Sequence, residues 1–254
     1  MTGEVTVCAN TGLALLPAGS QSVFRLAKPS YGVLNPPARG VSSSEDRAGW
    51  NRFDLPGEQT IYCASSAEGA YGELLGALKV GGPYRAQEYL DDPGTEDLYA
   101  LIASDWGDLG VRPPGVVDIH WLYAHRLYTV TLPPAGWFVE IEHARTITYL
   151  ASHIPLSLWE RGVDEITVAQ TRSGDRHLTT ELAATLAAAA LAGGVQALGI
   201  HYFSKHGTQW SCWAVWLREG VAGALEAGSG QPAAPPADNA ALAAVLDTYN
   251  LTAR

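Results

Sequence analysis

Apolar residues along this chain fall into short runs separated by turn-forming residues, and the length and period of each run predict an element. Residues 61–64 (IYCA) suit a buried strand. A helix follows at once. Ser65 and Glu68 make an S-x-x-E capping box, and Ala, Leu and Glu carry the helix to Leu78, ahead of Gly81-Gly82. Residues 127–132 (LYTVTL) stop at Pro133-Pro134, and residues 137–141 (WFVEI) alternate after the PPAG turn, which together predict a hairpin. Residues 147–159 predict a short helix and residues 165–170 (EITVAQ) a strand. Thr179 or Thr180 caps an Ala/Leu helix that runs to Leu191 and stops at Gly193-Gly194. Residues 200–203 and 212–217 are two further strands. Between these blocks, residues 28–48 read as a long Pro-, Gly- and Ser-rich loop, and residues 82–115 as irregular and acidic, with DDPGTED and RPPG as turns. Residues 221–238 read as a linker, and residues 239–251 as a terminal amphipathic helix with Leu242, Val245, Leu246 and Leu251 as its apolar set. Strands and helices do not strictly alternate, which points to the α+β class. No repeat is visible at any period between 20 and 50 residues.

Composition narrows the classes. The chain has 254 residues, 47% hydrophobic and 17% charged, enough for a sizeable core in one large or two small domains. Eight Trp and eleven Tyr exclude a wholly disordered chain. No apolar run is long enough to span a membrane; the longest weakly polar stretch, residues 182–198, is mostly Ala with paired Gly. The first charge is Glu4 and no basic region precedes the first apolar residues, a poor match to a signal peptide. Three widely spaced cysteines, Cys8, Cys63 and Cys212, form no CxxC and argue against a disulfide framework, so buried thiols in a cytoplasmic protein are expected. Net charge is −10, which disfavours direct nucleic-acid binding and anionic membranes. That charge is uneven. Residues 1–60 hold five basic residues (Arg25, Lys28, Arg39, Arg47 and Arg52) against five acidic ones, so the remainder carries the whole excess. The early arginines are therefore the place to look for an anionic ligand.

Three constellations have chemistry to offer. In the helix after Ser65, positions 70, 73, 74 and 77 share a face, and Glu73 stands there among Ala70, Leu74 and Ala77. A carboxylate beside an apolar stripe either faces a cleft or sits at the stripe's edge and reaches solvent. In Trp50-Asn51-Arg52-Phe53-Asp54, ahead of Tyr62, a guanidinium between aromatic residues suits bidentate recognition of a phosphate; the alternative is Arg52 paired with Asp54 or Asp46. Ser204-Lys205-His206 places a hydroxyl and a cation at a strand end, as sites and ordinary turns both do. The seven histidines show no metal-ligand spacing such as HExxH, and neither GxGxxG, GxxxxGK[ST] nor GxSxG occurs.

Together these pieces resemble the RES-domain family, named for an Arg, a Glu and a Ser. Phe24-Arg25-Leu26 resembles the family's opening arginine motif. Residues 51–75 (NRFDLPGEQTIYCASSAEGAYGELL) resemble its most diagnostic block, through Arg52-Phe53, Tyr62-Cys63-Ala64 and Ala70-Tyr71-Gly72-Glu73. Residues 178–183 (LTTELA) resemble its late helix start, and residues 199–207 (GIHYFSKHG) its last block, closed by Cys212-Trp213-Ala214-Val215. The likeness covers residues 22–218, implying a RES-like domain over residues 1–220, followed by the linker at 221–238 and the terminal helix at 239–254. Lys205 stands where the family has Arg, and Tyr31 is the nearest candidate for the tyrosine that follows the first arginine.

The resemblance implies an ADP-ribosyltransferase-like fold: a mixed sheet core with surrounding helices. It implies an NAD⁺-degrading enzyme that cleaves the nicotinamide–ribose bond by hydrolysis or phosphorolysis, with NAD⁺ as substrate rather than cofactor and inorganic phosphate as a conceivable co-substrate. An ADP-ribosyltransferase and a catalytically silent partner-binding module are the alternatives. Arg25 and Arg52 would bind phosphates, Arg52 would also act in catalysis beside Glu73, the catalytic carboxylate, Tyr31 and Tyr62 would contact the ligand, and Ser204 and Lys205 would bind the substrate as polar positioning groups. Implied partners are an antitoxin of the Xre helix-turn-helix type and a second copy in a homodimer.

Overall fold

The computed structural model describes residues 3–41, 46–79, 91, 98–108 and 114–254. In chain order the strands are β1 (Thr6–Val7), β2 (Ala14–Pro17), β3 (Ser22–Ala27), β4 (Thr60–Ala64), β5 (Val116–Val117), β6 (Arg126–Thr131), β7 (Trp137–Glu140), β8 (Gly199–Ser204), β9 (Gly207–Trp216), β10 (Glu226–Ala227), β11 (Gln231–Pro232) and β12 (Thr252–Ala253). The helices are α1 (Ala67–Leu75), α2 (Leu98–Asp108), α3 (Ile119–Tyr123), α4 (Ala144–Ser152), α5 (Leu156–Trp159), α6 (Val168–Thr171), α7 (Arg176–Ala188) and α8 (Ala240–Thr248). This is a mixed α+β architecture.

Ten strands form one sheet in the order β1-β2-β7-β8-β9-β4-β3-β6-β10, with β11 also paired to β6. Within this sheet β7 and β8 run parallel and the other pairs are antiparallel; β5 and β12 form a separate parallel pair. One face carries Leu15, Val139, Ile200, Tyr202, Cys212 and Trp216, covered by α4, α5 and α7 through Leu150, Leu158, Leu182 and Leu186. The other face carries Val23, Ile61, Val130, Phe138, Trp213 and Val215, and packs against Val33, Leu34 and Leu225. The three cysteines are buried and unpaired.

The ladder between β3 and β4 is short: Phe24 faces Ala64, and no further pair forms. The two strands part after that point, and Arg25 bridges the opening. Its Nε donates to Val33 O at 2.9 Å and its Nη1 to Tyr62 O at 3.3 Å. Next to this opening, α1 lies close against β9. A Cβ on Gly72 would come within 2.4 Å of the Trp210 ring, so only glycine allows the approach. Trp210 Nε1 in turn donates to Glu68 at 3.1 Å.

Several local expectations change. β6 and β7 form at 126–131 and 137–140, but they are not a hairpin: β6 lies beside β3, and β7 lies between β2 and β8. Pro133 and Pro134 have no N–H for a hairpin ladder. The turn is held instead by Ala18 N and Ser20 N, which donate to Gly136 O and Pro133 O at 3.0 and 3.1 Å. Residues 165–170 are not a strand; Thr167 and Gln170 cap each other reciprocally and start α6, which outweighs the β preference of Ile166 and Val168. The α7 N-cap is Asp175, which accepts from His177 N and Leu178 N, while Thr179 and Thr180 are buried inside the helix. That helix ends at Ala188 rather than Leu191. The α1 N-cap is Ser66 rather than Ser65, and the helix ends at Leu75. Helix α2 occupies 98–108 within the stretch expected to be irregular, most of whose remainder lies outside the described residues.

Residues 221–238, expected as a linker, carry β10 and β11 on the β6 edge and bury Leu225 and Ala233. The terminal helix packs on α1. Leu242 and Val245 are fully buried, and Tyr249 Oη donates to Gly72 O at 3.1 Å.

Candidate active site

A cavity of about 440 Å³ opens where β3 and β4 part. Its floor and walls come from Phe24, Arg25 and Leu26 on β3 and Tyr62, Cys63 and Ala64 on β4. The face of α1 expected to be functional lines it through Ala70, Glu73 and Leu74, with Ala77 just beyond the helix end. Asn51, Arg52, Arg176, Tyr202, Lys205 and His206 complete the lining.

Glu73 is half-buried, and its carboxylate is oriented by neighbours. Ser204 Oγ donates to Oε1, and Tyr202 Oη lies 3.5 Å from Oε2. Ser204 is set by its own turn, since its Oγ also accepts from His206 N at 3.1 Å. Arg52 Nη2 lies 3.6 Å from Glu73 Oε2.

Arg52 is only 5% exposed, yet neither Nη1 nor Nη2 has a hydrogen-bond partner among the described residues. The guanidinium is held by its plane, 4.6 Å from the Tyr202 ring centroid and 5.2 Å from that of Phe53. Asp54 does not pair with it. Asp54 accepts instead from Arg39 Nε at 2.6 Å, Asn51 N at 2.8 Å and Tyr62 Oη at 2.8 Å. Asp54 thus fixes the loop carrying Arg52 without pairing with its guanidinium. A buried cation with unmet donors is costly in isolation and becomes favourable when an anion meets it.

The sequence-derived candidates divide. Glu73, Arg52, Tyr62, Lys205 and Arg25 line the cavity, and Ser204 reaches it through Glu73. Tyr31 does not; it is 52% exposed and is absent from the cavity wall. Tyr62 presents its ring, because its hydroxyl donates to Asp54 and accepts from Phe53 N at 2.9 Å. Burial and the Asp54 carboxylate push that hydroxyl well above the usual phenol range. Arg25 is half-buried and engaged with two backbone carbonyls; burial pulls its pKa down.

Arg176 and Tyr202 join the site without having been assigned to it, and His206, singled out with Ser204 and Lys205, lines it as well. Arg176 is brought there by tertiary links that no local pattern encodes. Its Nε donates to Trp50 O at 2.9 Å, and Arg47 ties the same loop to α7 through Thr180 at 2.6 Å and Glu181 at 2.8 Å. Tyr202 alternates with His201 along β8, so it faces Glu73 while His201 faces the other side of the sheet. Burial, then the Glu73 charge, raise the Tyr202 phenol well above its usual range and keep it a donor. Burial lowers His206 and Lys205, with Arg52 adding to the effect in both.

On the opposite face, His201 bridges Glu140 and Ser211. The order Ser–His–Glu is that of a nucleophilic triad, but all three residues are buried and none lines the cavity. They form an internal polar network. Among the described residues no cluster of metal-ligating side chains occurs, and no helix is long and apolar enough to cross a membrane.

Comparison with protein-family models, with curated proteins and with solved structures finds no match to this chain.

Proposed function

We propose that the chain is an enzyme that cleaves the nicotinamide–ribose bond of NAD⁺, and that its architecture is ADP-ribosyltransferase-like, of the RES type. The observation that carries this reading is the ion pair at 3.6 Å between an oriented Glu73 and a buried Arg52 whose terminal nitrogens make no hydrogen bond among the described residues, in a cavity of ligand size.

The chemistry needs little more. Nicotinamide leaves as a neutral molecule from a cationic pyridinium, taking the C–N bonding electrons, so no proton need be donated. Positive charge then develops on the ribose as an oxocarbenium ion. One fixed carboxylate stabilises it, and Glu73, held by Ser204 and Tyr202, is in place to do so. Arg52 offers two donors to a phosphate oxygen. Water, inorganic phosphate or a side-chain nucleophile completes the reaction by attacking the anomeric carbon. In a cell an antitoxin would restrain the activity by placing an acidic segment in this cation-lined cavity.

The test is release of nicotinamide from NAD⁺ by the purified protein, with and without inorganic phosphate. ADP-ribose as product means hydrolysis, its 1″-phosphate means phosphorolysis, and a mass gain on a co-incubated protein means transfer. A folded protein that releases no nicotinamide with any of the three acceptors overturns the reading.

A further inference from the structure

Three cations from separate parts of the chain converge on the cavity: Arg52 from the loop before β4, Arg176 from the first position of α7, and Lys205 from the β8–β9 turn. We propose that Arg176, Arg52 and Lys205 form a cradle that holds a diphosphate, the anionic part of the ligand. The inference deepens the NAD⁺ reading and rests on it only for the identity of the molecule that carries the diphosphate.

Donor geometry is the first argument. Both terminal nitrogens of Arg52 are buried and unmet among the described residues. Arg176 is anchored through Nε to Trp50 O at 2.9 Å and through Nη1 to Ser173 O at 3.4 Å, which fixes the guanidinium plane and uses neither bond on Nη2. Lys205 has no ion pair among the described residues. Arg25, also on the cavity wall, has its Nε and Nη1 committed to the carbonyls that close the gap between β3 and β4.

Charge is the second. Glu73 is the one carboxylate among the described lining residues, facing these three cations. Gathering like charges in a half-buried cavity is unfavourable without a counter-charge. Burial and then Arg52 make both Arg176 and Lys205 easier to deprotonate than usual. A ligand with two negative charges supplies that counter-charge. Donors on two guanidinium groups and an ammonium, mounted separately, match the several oxygens of a diphosphate better than the single edge of a carboxylate. On a chain of net charge −10, such a cavity is a local inversion of sign.

Calorimetric titration tests the cradle without turnover. ADP-ribose, inorganic pyrophosphate and adenosine are titrated into the wild type, Arg176→Gln and Lys205→Gln, with the melting temperature of each variant measured alongside. The wild type is expected to bind ADP-ribose and pyrophosphate, and adenosine far more weakly. Each substitution should weaken both diphosphate ligands about tenfold or more. If Arg176→Gln loses its fold with its Trp50 contact, Lys205→Gln carries the comparison, since its ammonium makes no hydrogen bond among the described residues. Wild-type affinity for ADP-ribose in both folded variants overturns the proposal, as does equal binding of adenosine and ADP-ribose by the wild type. Binding that depends on these residues without nicotinamide release sinks NAD⁺ cleavage and keeps the cradle. Nicotinamide release with binding indifferent to both substitutions does the reverse.

Discussion

Arg25 and Arg52 bring the same group to one cavity, and their surroundings give them different work. Two carbonyls hold Arg25, whereas Asp54 holds the loop of Arg52 and leaves its guanidinium unbonded. Replacing Arg25 with Lys removes a fork that closes the β3–β4 gap, and should cost about 1–3 kcal/mol of stability. Replacing Arg52 with Lys should chiefly raise the KM for NAD⁺, because a compact ammonium cannot make two parallel bonds. Melting curves and steady-state kinetics on both variants check this; a KM effect confined to Arg25→Lys would reverse the assignment. His206 yields a second expectation. Its pKa is lowered by burial, with Lys205, Lys79 and Arg52 adding to the effect and Glu73 opposing it. A bound anion favours the protonated ring, so binding should take up protons and tighten as pH falls from 8 to 6. ADP-ribose suits the measurement because its diphosphate does not titrate in that range. Calorimetry in buffers of different ionisation enthalpy should show the uptake, and His206→Asn should reduce it. Identical apparent enthalpies in every buffer would contradict it.

At the level of elements, the C-terminal segment belongs to the body of the protein. Strands β10 and β11 cover the β6 edge, and α8 buries Leu242 and Val245 against α1. Each fully buried apolar side chain contributes about 1.5–3 kcal/mol. Truncation after Arg218 should therefore yield an aggregating or unfolded chain, read by circular dichroism and size-exclusion chromatography. A monomeric, cooperatively melting product would show the segment to be dispensable. The sequence pattern missed this because Ala, Gly and Pro look the same in a linker and in a chain clamped to a sheet edge; the pairing partner is about a hundred residues away. Long-range pairing also undid the hairpin at 126–140, where both strands were legible but their neighbours were not. Local signals fared better. IYCA marked β4, and the 70, 73, 74 and 77 face was found because helical period alone puts Glu73 beside Ala70 and Leu74. Arg176 stayed hidden: its place depends on Trp50 O, which folding brings near across 126 positions.

Across the molecule, a chain of net charge −10 holds a cavity with several cations and one carboxylate among its described lining residues, and that contrast of sign supports the functional account. Its central claim is that Glu73 stabilises the positive charge that develops as nicotinamide leaves. The most direct measurement is nicotinamide release from NAD⁺ by wild type and Glu73→Gln at equal concentration, with folding verified by melting temperature. Gln keeps the shape and removes the charge, so release should fall about 10²–10³-fold. Release at the wild-type rate from a folded Glu73→Gln protein would contradict the account.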